Sequence, residues 1–313
     1  MEIWPVHLQP FNDELLSSWM IRLAHGNGYK AHDFYAHYFG RNIQIWNRDI
    51  DCQTPNHLIN KLHFFTMQNV NNIKKLSIRS YRGILFERSN SAVLKGILSI
   101  GVNHRLRKRY GLQICPMCLK EDKVPYYRKH WRVSYLISCP IHGIELYDKC
   151  YKCSFPITPH RLDMIEKSKL APNLKIDSCS TCFTKLSNSP INKVNKNLHI
   201  MSNLILSALH EEQIFISCDP IFPNLFFLGL RGIVQGYIRN LGNEISSKKN
   251  SRAVELLEFS DRLKVLNGCS NLLVNWPSNF LDYAYQYKHP YTNFISKNSS
   301  NEIPFWLYKV FRP

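Results

Sequence analysis

The chain has 313 residues, 44% hydrophobic and 12% aromatic, which excludes a disordered protein and suggests two or three domains rather than one. Its net charge is +17: residues 1–110 carry 15 Lys/Arg against 7 Asp/Glu, residues 111–190 carry 12 against 7, and the remainder 13 against 9. That surplus, heaviest in the first third, points to a polyanionic partner, nucleic acid first.

Along the chain, residues 4–10 begin and end near prolines and read as extended. Asn12 or Asp13 is placed to cap a helix starting near Glu14, with Asp13 and Glu14 at the positive end of its dipole. Leu15, Leu16, Trp19, Met20 and Leu23 repeat at helical spacing until Asn27-Gly28 ends the helix. A second helix is predicted over 32–39, with Phe34, Tyr35 and Tyr38 on its apolar side. Helix, Gly-containing turn and helix outline a helix-turn-helix unit, a shape that any helical hairpin shares. Residues 54–67 and 69–80 read as two more short helices, and 89–100 as a short helix or buried connector. Then His104-Arg105-Leu106-Arg107-Lys108-Arg109 forms the densest cationic run, either a solvated face or a lining for phosphates.

Residues 115–182 are rich in turn formers and hold two consecutive four-ligand sets. The first is Cys115-Pro116-Met117-Cys118 with Cys139-Pro140-Ile141-His142; the second is Cys150-Tyr151-Lys152-Cys153 with Cys179-Ser180-Thr181-Cys182. Two residues between partners let a tight turn present two ligands to one tetrahedral ion. No apolar run is long enough to span a bilayer and no secretory leader is visible, so a cytoplasmic protein without membrane association is expected. Reducing surroundings favour metal over disulfides for these cysteines. Two zinc ions are therefore expected, each closed by four protein ligands and structural in role. The 25 residues between Cys153 and Cys179 leave a crossed pairing open. Cys52, Cys218 and Cys269 read as small buried hydrophobes.

Residues 187–196 read as a linker, followed by helices over 198–209, 226–241 and 253–266 and an aromatic-rich end over 276–313. The polar stretch 246–251 reads as an exposed loop. No His-Glu-x-x-His, phosphate-binding glycine loop or nucleophile elbow is present, and the carboxylates are scattered, so no catalytic residue is assigned and no enzyme is expected. Between the ligands stand Pro125-Tyr126-Tyr127-Arg128 and Trp131-Arg132. Such aromatics and arginines stack on bases and grip phosphates, or cover the back of a zinc ribbon. Packing is favoured for Trp131. Arg128 and Arg132 join Arg105, Arg107, Lys108 and Arg109 as candidate nucleic-acid contacts.

The run Pro10-Phe11-Asn12-Asp13-Glu14-Leu15-Leu16-Ser17-Ser18-Trp19, continued by Arg22-Leu23-Ala24 and Asn27-Gly28, resembles the N-terminal signature of the TniQ family. The Cys-Pro-x-Cys-Leu, Tyr-x-Arg, Trp-Arg and Cys-Pro-x-His-Gly-x-x-Leu series from Cys115 to Leu146 is similar to that family's zinc region. The resemblance spans roughly residues 3–185, with a fainter echo at Asn275-Trp276-Pro277-Ser278-Asn279-Phe280. It implies an accessory protein of DNA transposition that selects the target site. It also implies a AAA+ ATPase regulator and a transposase as partners, with DNA recognised directly or, in dimeric members, through a CRISPR RNA-guided complex. The expected fold is mainly α with small zinc ribbons: an N-terminal helix-turn-helix domain over 1–110, two consecutive zinc-binding modules over 111–190, and a C-terminal helical domain over 191–313. A stand-alone zinc-containing helix-turn-helix transcription regulator is the alternative.

Overall fold

The computed structural model describes residues 2–42, 45–87, 94–100, 110–162, 164, 175–245, 253–288, 290–294 and 303–311. Among these, the chain is mainly helical, with ten α-helices and one two-stranded antiparallel sheet. It divides into two compact units, each assembled from separate stretches. The first takes Met1–Ser80, Asn90–Val133 and Leu146–Ile191; the second takes Tyr81–Ser89, Ser134–Glu145 and Asn192–Pro313.

In the first unit, α1 (Leu16–Gly26) buries Leu16, Trp19, Met20, Ile21, Leu23 and Ala24 together with Ser18 and Arg22, so most of its circumference faces protein. Neither Asn12 nor Asp13 caps it. The N-cap is Leu15, which has no side-chain cap bond. Tertiary partners take over instead: the Leu15 N–H donates to the Tyr127 carbonyl and the Leu16 N–H to the Leu76 carbonyl. A turn with Gly28 at φ 82° leads into α2 (Ala31–Phe39), which buries Phe34, Tyr35 and Phe39. Trp4 fills the space beside them, its ring stacked on Phe65 at 4.9 Å and 4.6 Å from Phe34. The predicted pair of short helices is present as α3 (Asn56–Thr66) and α4 (Val70–Lys75), the latter capped by the Asn69 side chain. A further short helix, α5 (Pro116–Glu121), starts at the first ligand pair.

The first α-helix of the second unit is α6 (Lys196–His210), whose N-cap Asn195 accepts the Leu198 N–H. A hairpin follows, β1 (Ile214–Ile216) paired with β2 (Asp219–Ile221), with Ser217 in the left-handed region at its turn. Helix α7 (Pro223–Leu241) extends the predicted 226–241 element. The helix predicted over 253–266 lies further on, as α8 (Phe259–Leu273), because Leu257 and Glu258 are extended ahead of it. Two short helices, α9 (Ser278–Gln286) and α10 (Phe305–Phe311), complete the unit.

Gly229 and Gly236 leave two gaps on α7. A Cβ at Gly229 would overlap the Trp306 ring of α10, and one at Gly236 the Phe294 ring. Trp306 is fixed there by its indole N–H, which donates to the Leu225 carbonyl at 3.0 Å. Gly229→Ala gains roughly 1 kcal/mol of helix propensity, yet the overlap costs about 1–3 kcal/mol. The expected net result is a lower urea midpoint with Trp306 displaced, read as a red-shifted tryptophan emission.

Candidate metal centres

Both ligand sets converge without crossing. Cys115, Cys118, Cys139 and His142 form one group and Cys150, Cys153, Cys179 and Cys182 the other, with the ligand atoms of each within 4.8 Å of one another. Three of the four chelating pairs share one backbone turn. The N–H groups of Cys139, Cys150 and Cys179 donate to the carbonyls of Ile144, Phe155 and Thr184 at 2.7, 2.8 and 2.9 Å. In return, Gly143, Ser154 and Phe183 donate to the carbonyls of Cys139, Cys150 and Cys179 at 2.9, 2.9 and 3.0 Å. These returning residues all lie in the left-handed region, at φ 61°, 56° and 59°. One-rung bridges, Ser138 to Glu145, Lys149 to Pro156 and Ser178 to Lys185, close the turns at their bases. Cys115 instead caps α5, its Sγ accepting the Cys118 N–H at 3.4 Å with Pro116 at the first helical position.

The donor geometry fits a tetrahedral ion. Metal–sulfur bonds of about 2.3 Å and metal–nitrogen bonds of about 2.0–2.1 Å place tetrahedral S···S pairs about 3.8 Å apart and S···N pairs about 3.6 Å apart. The observed separations are 3.6 Å for Cys150 to Cys182, 3.6 Å for Cys153 to Cys179, and 3.5 Å from Cys139 Sγ to His142 Nδ1. Three thiols with an imidazole, and four thiols, are donor sets compatible with zinc. Because the left-handed backbone at Gly143 strains any side chain, and a Cβ there would stand 3.3 Å from the His199 ring, Gly143→Val is expected to cost about 1–2 kcal/mol. A lowered thermal midpoint and faster metal loss to a chelator would report it.

The stretch from Tyr127 to Arg132 faces inward, with Tyr126 half-buried. Glu14, fully buried, receives Nε and Nη2 of Arg22 at 2.8 and 2.7 Å and the Ser18 hydroxyl at 2.7 Å. The Arg22 guanidinium lies 4.3 Å from the Phe11 ring centre, Phe11 stacks on Tyr126 at 4.5 Å, and Arg128 covers Tyr126 at 4.3 Å. This four-layer stack of cation, two rings and cation joins the Pro10–Arg22 signature to the Tyr126–Arg128 stretch. Arg128 also grips both carboxylate oxygens of Asp122, at 2.8 and 3.0 Å. Arg132 is buried with its guanidinium on Asp49 at 2.6 Å, 3.5 Å from Asp51, and on the Leu98 carbonyl at 2.7 Å. The Ser17 N–H and hydroxyl both donate to Asp51 at 2.8 Å. Trp131 is buried, as packing predicts. His130 is buried 3.6 Å from Asp13, and His160, also buried, stacks on Trp46; desolvation there pushes its pKa down to about 3.

Arg105, Arg107, Lys108 and Arg109 lie outside the described residues. Sequence reasoning passed over a second basic surface beside the four-cysteine set. Lys149, Lys152, Lys175 and Lys185 are exposed there, while Asp148 and Asp177 are buried. The signal was present in the lysines flanking each chelating pair. Of the three remaining cysteines, Cys52 and Cys269 are buried as expected, whereas Cys218 is exposed at the hairpin turn.

Residues 5–146 match the TniQ family model. These residues belong to the TniQ family. The matched span takes in all four members of the Arg22, Phe11, Tyr126 and Arg128 stack and the whole Cys115, Cys118, Cys139 and His142 set. No curated protein matches the chain. A TniQ domain implies a function associated with DNA transposition. Among the described residues, no helix is long and apolar enough to cross a membrane.

Proposed function

We propose that this TniQ-domain chain is a non-enzymatic accessory protein of DNA transposition. In this reading it selects the target site and links target DNA, or an RNA-guided CRISPR complex, to a AAA+ ATPase regulator and a transposase. The observation that carries the proposal is the TniQ match over residues 5–146. The basic charge and the closed four-ligand sets support it.

Each ligand set holds one zinc ion. Cys115, Cys118, Cys139 and His142 hold the first, and Cys150, Cys153, Cys179 and Cys182 the second. A bound ion with four protein ligands offers no open position to a substrate; it cross-links short turns that lack a core of their own. Helices α1 and α2 serve as the helix-turn-helix unit of an N-terminal domain over 1–110, followed by the zinc region over 111–190 and the helical remainder. Arg105, Arg107, Lys108 and Arg109 contact phosphates, joined by the exposed lysines beside the second set. Arg128 and Arg132, engaged by Asp122, Asp49 and the Leu98 carbonyl, serve the packing of the domain rather than phosphate contact. The protein works in the cytoplasm, as a monomer or homodimer.

Direct contact with phosphates predicts salt-sensitive binding, each contact adding about 0.9 to the slope of log affinity against log salt. Replacing Arg105, Arg107, Lys108 and Arg109 together by alanine is expected to reduce that slope by about 3–4. Fluorescence anisotropy on labelled duplex DNA measures it. Binding insensitive to salt would remove direct DNA recognition from the reading. Affinity capture from the native host would then have to return the ATPase, the transposase or CRISPR components. A capture that returns none of them would defeat the adaptor role altogether.

A further inference from the structure

The two ligand sets differ in their access to solvent. In the first, Cys115, Cys118 and Cys139 are at most 2% exposed, and the fourth ligand, His142, offers no thiol. In the second, Cys150 and Cys179 are buried, but Cys153 is exposed and Cys182 is half-exposed. Cys153 stands at the tip of its turn, where Tyr151, Lys152 and Ser154 are exposed with it. Its Sγ lies 3.6 Å from that of Cys179, close enough for a disulfide to form with little backbone movement. Oxidation of a thiolate follows its exposure and the presence of a second thiol to resolve the product. Both sets place a second thiol within reach, but only the second combines it with an exposed one, at Cys153.

We propose that Cys153 and Cys179 form an oxidation site at which hydrogen peroxide makes a disulfide and opens the second ligand set while leaving the first intact. The proposal rests on the reading that both sets hold zinc. The Cys153 thiolate attacks one peroxide oxygen; the O–O bond breaks, a sulfenic acid forms on Cys153, and hydroxide departs. The Cys179 thiolate then attacks the Cys153 sulfur, forming the S–S bond and expelling a second hydroxide. Two thiolates have lost two electrons, and the peroxide has gained them. With two of its four ligands consumed, the second set releases its metal, and the turns spanning 149–156 and 178–185 lose their cross-link. A thiol reductant with added zinc reverses the change. An oxidising environment would thereby loosen the basic surface beside this set.

The test uses the full chain carrying Cys218→Ser, to remove the one other exposed thiol among the described cysteines. Zinc content is measured first; fewer than two ions per chain would overturn the metal reading, and this proposal with it. Hydrogen peroxide is then added, zinc release is followed with a chromogenic chelator, and disulfides are mapped by peptide mass spectrometry. The expected result is release of one zinc in step with a Cys153–Cys179 disulfide, with the other zinc retained. Cys153→Ser is expected to slow that release about ten-fold. Parallel loss of both ions, a disulfide between Cys150 and Cys182 instead, or no release at peroxide doses that oxidise Cys218 in the unsubstituted chain would each overturn the proposal. If Cys153→Ser does not load a second zinc, the disulfide map of the Cys218→Ser chain decides.

Discussion

Cys115→Ser, or Cys139→Ser, is expected to abolish cooperative folding of the chain. A structural zinc ion contributes on the order of 10 kcal/mol to the elements that hold it, and a whole domain is stable by only about 5–15 kcal/mol. Cys115 caps α5 as well as belonging to the first set, and the Cys139 turn is tied by two backbone hydrogen bonds, so losing either side chain also loosens the surrounding turns. Circular dichroism against temperature should show the wild-type transition lost in both variants and in wild type treated with a strong chelator. Cys218→Ser is the control: an exposed thiol outside both sets should leave the midpoint where it was. A Cys115→Ser protein that melts like wild type would show that the first set does not support the fold.

Arg132→Met is the second large expected effect, a loss of about 3–5 kcal/mol, the range for breaking a buried ion pair by removing one partner. Methionine fills the volume but leaves Asp49 and Asp51 facing each other without a cation. Lysine should rescue little, because a single ammonium cannot reproduce the three guanidinium nitrogens, Nη1 and Nη2 on the two Asp49 oxygens and Nε with Nη2 on the Leu98 carbonyl. The loss should also depend on pH. Burial pushes the Asp51 carboxyl up to about 6, and Arg132 works against that rise. A carboxyl whose folded pKa is raised stabilises the fold at low pH, and that contribution is lost as pH climbs through the interval between about 4 and the folded value. Without Arg132 the folded value rises further. The gap in urea midpoint between variant and wild type should therefore widen from pH 5 to pH 7, and a gap that narrows over that range would contradict the assignment.

What could be read in the sequence divides by distance along the chain. The two Cys/His clusters were legible because each pair is a local pattern, and α2, α3, α6 and α7 because their apolar residues repeat at helical period. The start of α1 was misplaced because its first N–H groups are satisfied by Tyr127 and Leu76, far from any capping residue. The direction of Arg132 was hidden for the same reason: Asp49 lies 83 residues away. Of the three shared turns, only Gly143 announces a left-handed residue; Ser154 and Phe183 occupy the same position without a glycine to signal it. The β1–β2 hairpin escaped notice because three residues per strand are too few to establish a period.

The most direct test of the account is the metal content of the purified, folded chain, by elemental analysis alongside native mass spectrometry. Two zinc ions per chain are predicted, one of them lost when two ligands of the second set, Cys150 and Cys182, are replaced together. A chain that folds cooperatively with no bound metal, or that carries iron in these sites, would contradict the claim that the TniQ domain and the module beside it are built on zinc.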